Sequence, residues 1–426
     1  MRHTQKDMFV IGFALFSMFF GAGNVIFPPY LGLSCGAQWF LGFLCYYVAD
    51  IGLALLALFA VLRGGGSDGV IGRIGRLPST VLMSAIVLCI GPMLAIPRTA
   101  ATTYEMALAP LVSGFSPVLF SALFFLLILL LCLKEAAVVD IVGKVLTPAL
   151  LVGLLVLIVK GVADPIGPVP NDVPVDNVPF TGIEAGYQTM DVLAALVFGI
   201  IVLKSARDKG HTDPGDQFRM VAGAGVVAGA ALLVVYLGLT YLGVTTSIYF
   251  DLTVLRTYLV VAIVRNLMGY PGVVLFSVVV ALACVTTAAA LVSSAASYFS
   301  KLSGGRVSYA CLVAVICVFS AVTSNFGLDQ IVSIAAPILN IVYPPTLVLI
   351  VLALFGRRIR SDWVFRMAAL GALIFSALTV AADFGVPLDF LKRLPLAAMG
   401  FGWLLPAAVC GLLGALIGRI AQAKAR

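Results

Sequence analysis

Apolar residues run along this chain in long stretches separated by short polar or basic clusters. A membrane-crossing helix needs about 20 predominantly apolar residues, and such stretches recur from one end of the sequence to the other. They predict about twelve transmembrane helices, near residues 7–33, 38–62, 80–108, 117–133, 138–162, 182–203, 220–244, 271–299, 307–322, 328–355, 363–384 and 394–421. Membrane barrels instead alternate apolar and polar residues in segments of about ten, a pattern this sequence lacks. The expected fold class is all-α, integral to the membrane.

Composition agrees with that pattern. Hydrophobic residues make up 62% of the 426 positions and charged residues 11%, with a mean hydropathy of +1.13. A soluble core cannot hide that much apolar surface. The net charge of +7 speaks for orientation rather than for a nucleic-acid partner, because membrane proteins gather Lys and Arg on the cytoplasmic side. With the N-terminus inside, twenty of the 26 Lys and Arg residues fall on the inner side. Only Arg256, Arg265, Lys392 and Arg393 fall outside, and Arg98 and Lys160 lie within or at the ends of spans. Both termini are thus expected in the cytoplasm, with the protein in the cell (inner) membrane and the lipid bilayer as its surroundings. The same distribution makes residues 248–269 a helical external loop, since a span there would carry Arg357, Arg358 and Arg360 outside. The proline-rich, acidic loop at 161–181 is external too. The basic start and first apolar run resemble a signal peptide, but no convincing cleavage site follows, so a retained first helix is expected.

Little else in the composition suggests chemistry. The eight cysteines form no CxxC pair and fall in or beside apolar runs, as small core residues do. Only His3 and His211 are present, too few for a histidine-built metal site. HExxH and Asp-rich magnesium motifs are absent and histidine is nearly so, which argues against an intramembrane enzyme. No charged ring or filter repeat marks a channel.

The polar interruptions inside spans are more informative. "MFFGAGNVIFPPYLG", at 18–32, places two glycines, an asparagine and a Pro-Pro pair within the first apolar run. Hydrocarbon offers freed backbone groups no partners, so this stretch is either a helix crossing built on small residues or a deliberate break. Broken helices at the membrane midplane present helix N-termini to substrate carboxylates and carbonyls to cations. Ionisable residues within spans are also functional candidates, and here they are Asp50, Arg98, Glu105 and Asp191. Asp50, Arg98 and Asp191 lie roughly 9–12 residues from the outer ends of their helices, about 14–18 Å deep. A buried Arg98 pair with Asp50 or Asp191 is expected, serving either to hold helices in register or to act in gating or substrate binding. "IGPMLAIPRTAATTYE" (90–105) brings two prolines and Arg98 into one span, and "GYQTMD" (186–191) is a polar run too costly to face lipid. "CVTTAAALVSSAAS" (284–297) lines hydroxyl and small residues along the eighth helix, for close packing or for hydrogen bonds to its own backbone. "APILNIVYPP" (336–345) is expected to kink the tenth segment.

Taken in order, "FGAGNVIFPPYLG", "IGPMLAIPRTA", "GYQTMD", "LACVTTAAAL" and "ILNIVYPP" resemble the branched-chain amino acid:cation symporter family, from the first helix through the tenth. The resemblance implies uptake of leucine, isoleucine and valine with sodium as coupling ion and no other cofactor. It also implies a LeuT-like fold of the APC superfamily, with a five-helix repeat over 1–162, an inverted repeat over 163–356, and two further helices with a cytoplasmic tail over 357–426. By that resemblance Gly21, Ala22, Gly23 and Asn24 offer N–H groups to the substrate carboxylate, and Tyr187, Gln188, Thr189 and Met190 complete the pocket, their carbonyls taking the ammonium. The Ser17, Phe20 and Ala283 carbonyls, with the Thr286 and Thr287 hydroxyls, form the expected sodium site. Asp50 and the length of the 163–183 loop have no counterpart in the family pattern. The alternative within the same fold is a proton-coupled carrier, with Asp191 or Glu105 carrying the proton.

Overall fold

The computed structural model describes residues 2–133, 151–208, 213–356, 358–359 and 361–424. Residues 138–150 of the expected fifth helix, and Lys134, Lys144, Lys209, Arg357, Arg360 and Arg426 among the basic positions, lie outside the described residues. Every regular element among the described residues is helical. Eight continuous helical segments there are long and apolar enough to cross a membrane, and three shorter apolar helices accompany them.

The first expected helix is two, α1 (Arg2–Phe19) and α2 (Ala22–Cys35), parted at Phe20 and Gly21. Pro28 and Pro29 lie inside α2, which is buried at every position but Tyr30. The backbone groups the prolines disturb therefore face protein, where an irregular helix is tolerated. α3 (Trp39–Tyr47) and α4 (Leu53–Gly64) form the second expected helix, joined by a π-helical turn, Val48–Gly52, that carries Asp50. After the short α5 (Ser67–Ile71), α6 (Arg76–Leu88) and α7 (Ala95–Thr103) make up the third. A π-helical turn at Cys89–Met93 separates them, with Gly91 at φ −103°, ψ −131° beside Pro92, and a second such turn, Tyr104–Leu108, follows α7. α8 (Pro117–Leu133) and α9 (Leu151–Ala163) complete this half.

The sixth expected helix is also two, α10 (Val178–Thr189) and α11 (Asp191–Asp208), meeting at Met190 with φ +65°. Next come α12 (Pro214–Val244) and α13 (Arg256–Leu302), the latter broken at Gly269 with φ +66°. That break divides the loop helix expected before residue 269 from the eighth span. α14 (Tyr309–Thr323), α15 (Leu328–Leu354), α16 (Asp362–Asp383) and α17 (Leu404–Lys424) follow. The twelfth helix was expected from 394 and begins ten residues later. Leu394, before Pro395, is held extended at ψ +143°, as the residue before a proline is, and Leu396 and Gly400 take positive φ.

Packing places the two breaks at the centre. α1 and α2 both lie on α12, α10 lies on α3 and α2, and α11 on α4. The α2–α12 crossing is close enough that a Cβ on Gly32 would collide with the Thr240 carbonyl, and one on Gly243 with that of Pro29. Small residues at membrane crossings permit such backbone approach.

Two ion pairs join segments distant in sequence. Arg73 pairs with Asp362 at 2.7 Å and reaches the Ile359 carbonyl. Arg256 pairs with Asp329 at the start of α15.

Candidate functional site

Each break exposes one end of a helix. α1 closes with the Phe20 N–H on the Phe16 carbonyl at 2.8 Å. Gly21 is then extended at φ −102°, ψ −173°, and α2 starts afresh. The Gly21 N–H is satisfied by the Phe19 carbonyl at 3.0 Å and by Asn24 Oδ1 at 3.3 Å. The N–H groups of Ala22 and Gly23, in the first turn of α2, have no intrahelical acceptor. They carry the positive end of the helix dipole.

α10 presents the opposite end. Its last carbonyls lack intrahelical donors, and Arg98 fills that need: Nη1 donates to the Gln188 carbonyl at 2.6 Å and Nη2 to that of Thr189 at 3.4 Å. This corrects the expectation of a carboxylate partner, since Arg98 makes no ion pair with Asp50 or Asp191. The physical reason is the negative end of the α10 dipole, which accepts a buried guanidinium without a second formal charge. Arg98 is 5% exposed and rests against the first turn of α2, where a Cβ on Gly23 would meet Nη2 at 3.0 Å.

A buried polar cluster ties the two breaks together. Asn24 Nδ2 donates to Asp191 Oδ2 at 2.8 Å and to the Tyr236 hydroxyl at 2.5 Å. The Thr189 hydroxyl donates to Asp50 Oδ1 at 2.7 Å. Asp50 thus joins the π-helical turn after α3 to the end of α10. Tyr236, on α12, escaped the sequence reading: it shares its apolar span with the hydroxyls of Thr240 and Tyr241, and nothing in the pattern singled it out.

A cavity of about 460 Å³ opens beside these groups. Gly21 of the first break and Ala22 and Asn24 of α2 line it, with Thr189, Met190 and Asp191 from the second break, and Arg98 and Thr99 from α7. Ser17 of α1 and Thr286 and Thr287 of α13 line it further along. Its apolar wall is Ile90, Ala194, Phe198 and Leu291, none of them foreseen from the sequence.

Seven candidates are absent from this lining: Phe20, Gly23, Asp50, Glu105, Tyr187, Gln188 and Ala283. Tyr187 stacks on Tyr343, centroids 4.3 Å apart, on the other side of α10. The Thr286 hydroxyl donates to the Ala283 carbonyl at 2.9 Å, so two expected sodium ligands are bonded to each other. Glu105 lies near the start of α15, accepting from Leu328 N at 2.9 Å and from the Thr257 hydroxyl at 2.7 Å. It ties α7, the loop helix and α15 together, away from the cavity. Among the described residues no cluster of His, Cys, Asp and Glu is arranged to hold a metal ion.

Comparison with known proteins follows the same line. The family model described as "Branched-chain amino acid transport protein" matches residues 4–421. A Pseudomonas aeruginosa protein named branched-chain amino acid transport system 2 carrier protein is 36% identical over 423 residues, 97% of this chain and 96% of that one. Among solved structures, the inward-facing conformation of Mhp1 superposes with a TM-score of 0.65 at 14% identity, covering 98% of this chain and 91% of that one. MhsT in complex with L-phenylalanine gives 0.58 at 16% identity, covering 95% and 98%. These neighbours show the fold, which is LeuT-like.

Proposed function

The chain belongs to the branched-chain amino acid transport protein family, and from that premise we propose a sodium-coupled importer of leucine, isoleucine and valine working by alternating access. Its relatives are carriers rather than enzymes. The observation that carries the reading is the meeting of two helix breaks and Arg98 at one cavity with an apolar wall.

The substrate carboxylate binds where positive charge converges, on the Ala22 and Gly23 N–H groups and the Arg98 guanidinium beside them. The ammonium goes to the Asp191 carboxylate at the cavity wall, not to the α10 carbonyls, which Arg98 already occupies. The branched side chain packs on Ile90, Ala194, Phe198 and Leu291. One methylene changes affinity by only about 1–3 kcal/mol in such a pocket, which suits a carrier shared by all three amino acids.

Sodium binds between α1 and α13, on the Ser17, Phe20 and Ala283 carbonyls and the Thr286 and Thr287 hydroxyls. A hydroxyl that donates to a carbonyl keeps lone pairs for an ion, so the Thr286–Ala283 bond is compatible with both oxygens as ligands. The repeats 1–162 and 163–356 each supply one broken helix, and 357–426 adds α16 and α17. The charge distribution supports termini in the cytoplasm, and a cavity lined by Ser17 of α1 and by Ala194 and Phe198 of α11 supports an inward-facing conformer in this reading.

Labelled leucine uptake into liposomes of purified protein tests the reading. An inward sodium gradient is expected to drive accumulation, and a protonophore to leave it intact. The buried Asp50 and Asp191 carboxyls favour a second reading, proton coupling, which predicts uptake without sodium that the protonophore abolishes.

A further inference from the structure

A second cavity, of about 420 Å³, lies between α10, α15, α16 and the segment 388–403. It shares no lining residue with the substrate cavity, because α10 stands between them. Phe180, Ile183, Leu388 and Leu391 give it apolar walls. Two carboxylates face it, half-buried Glu184 on α10 and Asp383 at the end of α16. Among the described residues neither has a hydrogen bond or a close ion pair, although the Arg256 charge lies near enough to act on Glu184, and Lys392 at the rim is paired with Asp389 at 3.3 Å.

Tyr187 and Trp403 also line the cavity, at 5% and 6% exposure, and the stack on Tyr343 fixes the Tyr187 ring. Two carboxylates among apolar and aromatic walls in one concave site describe a small-molecule pocket, and its volume falls in the usual range of about 300–1,000 Å³.

We propose that this cavity is a second binding site, for a small aliphatic molecule that carries a protonated amine. Glu184 and Asp383 hold the ammonium, and the aliphatic body lies against Phe180, Ile183 and Leu391. Free branched-chain amino acids and simple alkylamines share this chemistry.

Trp403 provides a local reporter once the other two tryptophans are removed as Trp39→Phe and Trp363→Phe. The purified full-length protein in lipid nanodiscs is titrated with 3-methylbutylamine and, separately, with leucine, following tryptophan fluorescence. A saturable change with the amine is expected. The same change with leucine makes amino acids a natural source of the ligand, and a change with the amine alone restricts the site to alkylamines. The double variant Glu184→Gln, Asp383→Asn is expected to bind at least about tenfold more weakly, the scale of one charge-assisted contact. Should the double variant fold poorly, Asp383→Asn alone, at an exposed position, must still weaken binding. No saturable response to either compound overturns the proposal. So does an undiminished response in a variant with native helical content, which would place the signal's origin in the substrate cavity.

Discussion

Gly23→Ala adds a single methyl group at the point where Arg98 rests on α2. The new Cβ would lie 3.0 Å from Arg98 Nη2, 3.0 Å from Phe27 Cε2 and 3.2 Å from Arg98 Cζ. Phe27 is a core residue at 4% exposure, so the guanidinium is the group that gives way. Its displacement strains the 2.6 Å bond to the Gln188 carbonyl. Hydrogen bonds to a charged group contribute about 1.5–3 kcal/mol, and 1.4 kcal/mol is tenfold in affinity. Loss of that bond should weaken leucine binding by about 10–100-fold. The control is Gly21→Ala. Gly21 is extended, and its added Cβ meets only Asn24 Oδ1, at 3.7 Å. That variant should stay within about 0.5 kcal/mol of the parent. Alanine favours a helix interior over glycine by about 1 kcal/mol, so helix propensity works against the predicted loss at Gly23. Equilibrium binding of labelled leucine to both purified variants, with thermal melts to confirm folding, provides the comparison. Parent-like binding by Gly23→Ala, or equal damage from Gly21→Ala, refutes the placement of Arg98 as the reason this position lacks a side chain.

Three other outcomes follow from the geometry. Thr287→Val keeps the side-chain shape and removes one cavity-lining oxygen; it should raise the sodium concentration for half-maximal leucine uptake, with uptake partly recovered at high sodium, and an unchanged sodium curve places the cation elsewhere. Arg98→Lys replaces a planar fork by a point charge that cannot span both α10 carbonyls; leucine affinity should fall by about tenfold, the size of one charge-assisted bond, as read by equilibrium binding. Glu105→Leu leaves the Leu328 N–H and the Thr257 hydroxyl without their acceptor, which costs about 1–3 kcal/mol for each buried group left unpaired; the melting temperature should drop while leucine affinity holds.

Much of this arrangement was legible in the residues. Gly21 and Asn24 marked the first break, because polar groups in a membrane span need protein partners. The polar run at 186–191 stood out for the same reason, but the break at Met190 inside the 182–203 span was not foreseen. The loop helix before Gly269 followed from keeping Arg357, Arg358 and Arg360 off the expected outer side. What sequence could not supply was the direction of side chains around the breaks. Arg98 was matched with carboxylates because opposite charges attract, but the carboxyl end of α10 offered it two carbonyls instead. Gly23 was read as a backbone donor, and nothing in the sequence signalled that Arg98 packs where its side chain would be. Tyr187 and Thr189 are two residues apart, so on a helix their side chains point in widely different directions. Tyr187 turns to Tyr343 and the second cavity, and Thr189 to Asp50 and the first. The apolar wall came from four residues on α6–α7, α11 and α13 whose convergence is a property of packing alone.

The account's central claim is that one cavity couples an amino acid to sodium across the α1–α2 break. Linkage requires that each ligand change the affinity of the other by the same factor. The most direct measurement is radiolabelled sodium entry into liposomes of purified protein, with and without external leucine and with no other driving gradient. The account predicts sodium entry that rises on adding leucine, isoleucine or valine and is reduced in Thr287→Val at low sodium. Leucine entry unaccompanied by sodium would contradict it.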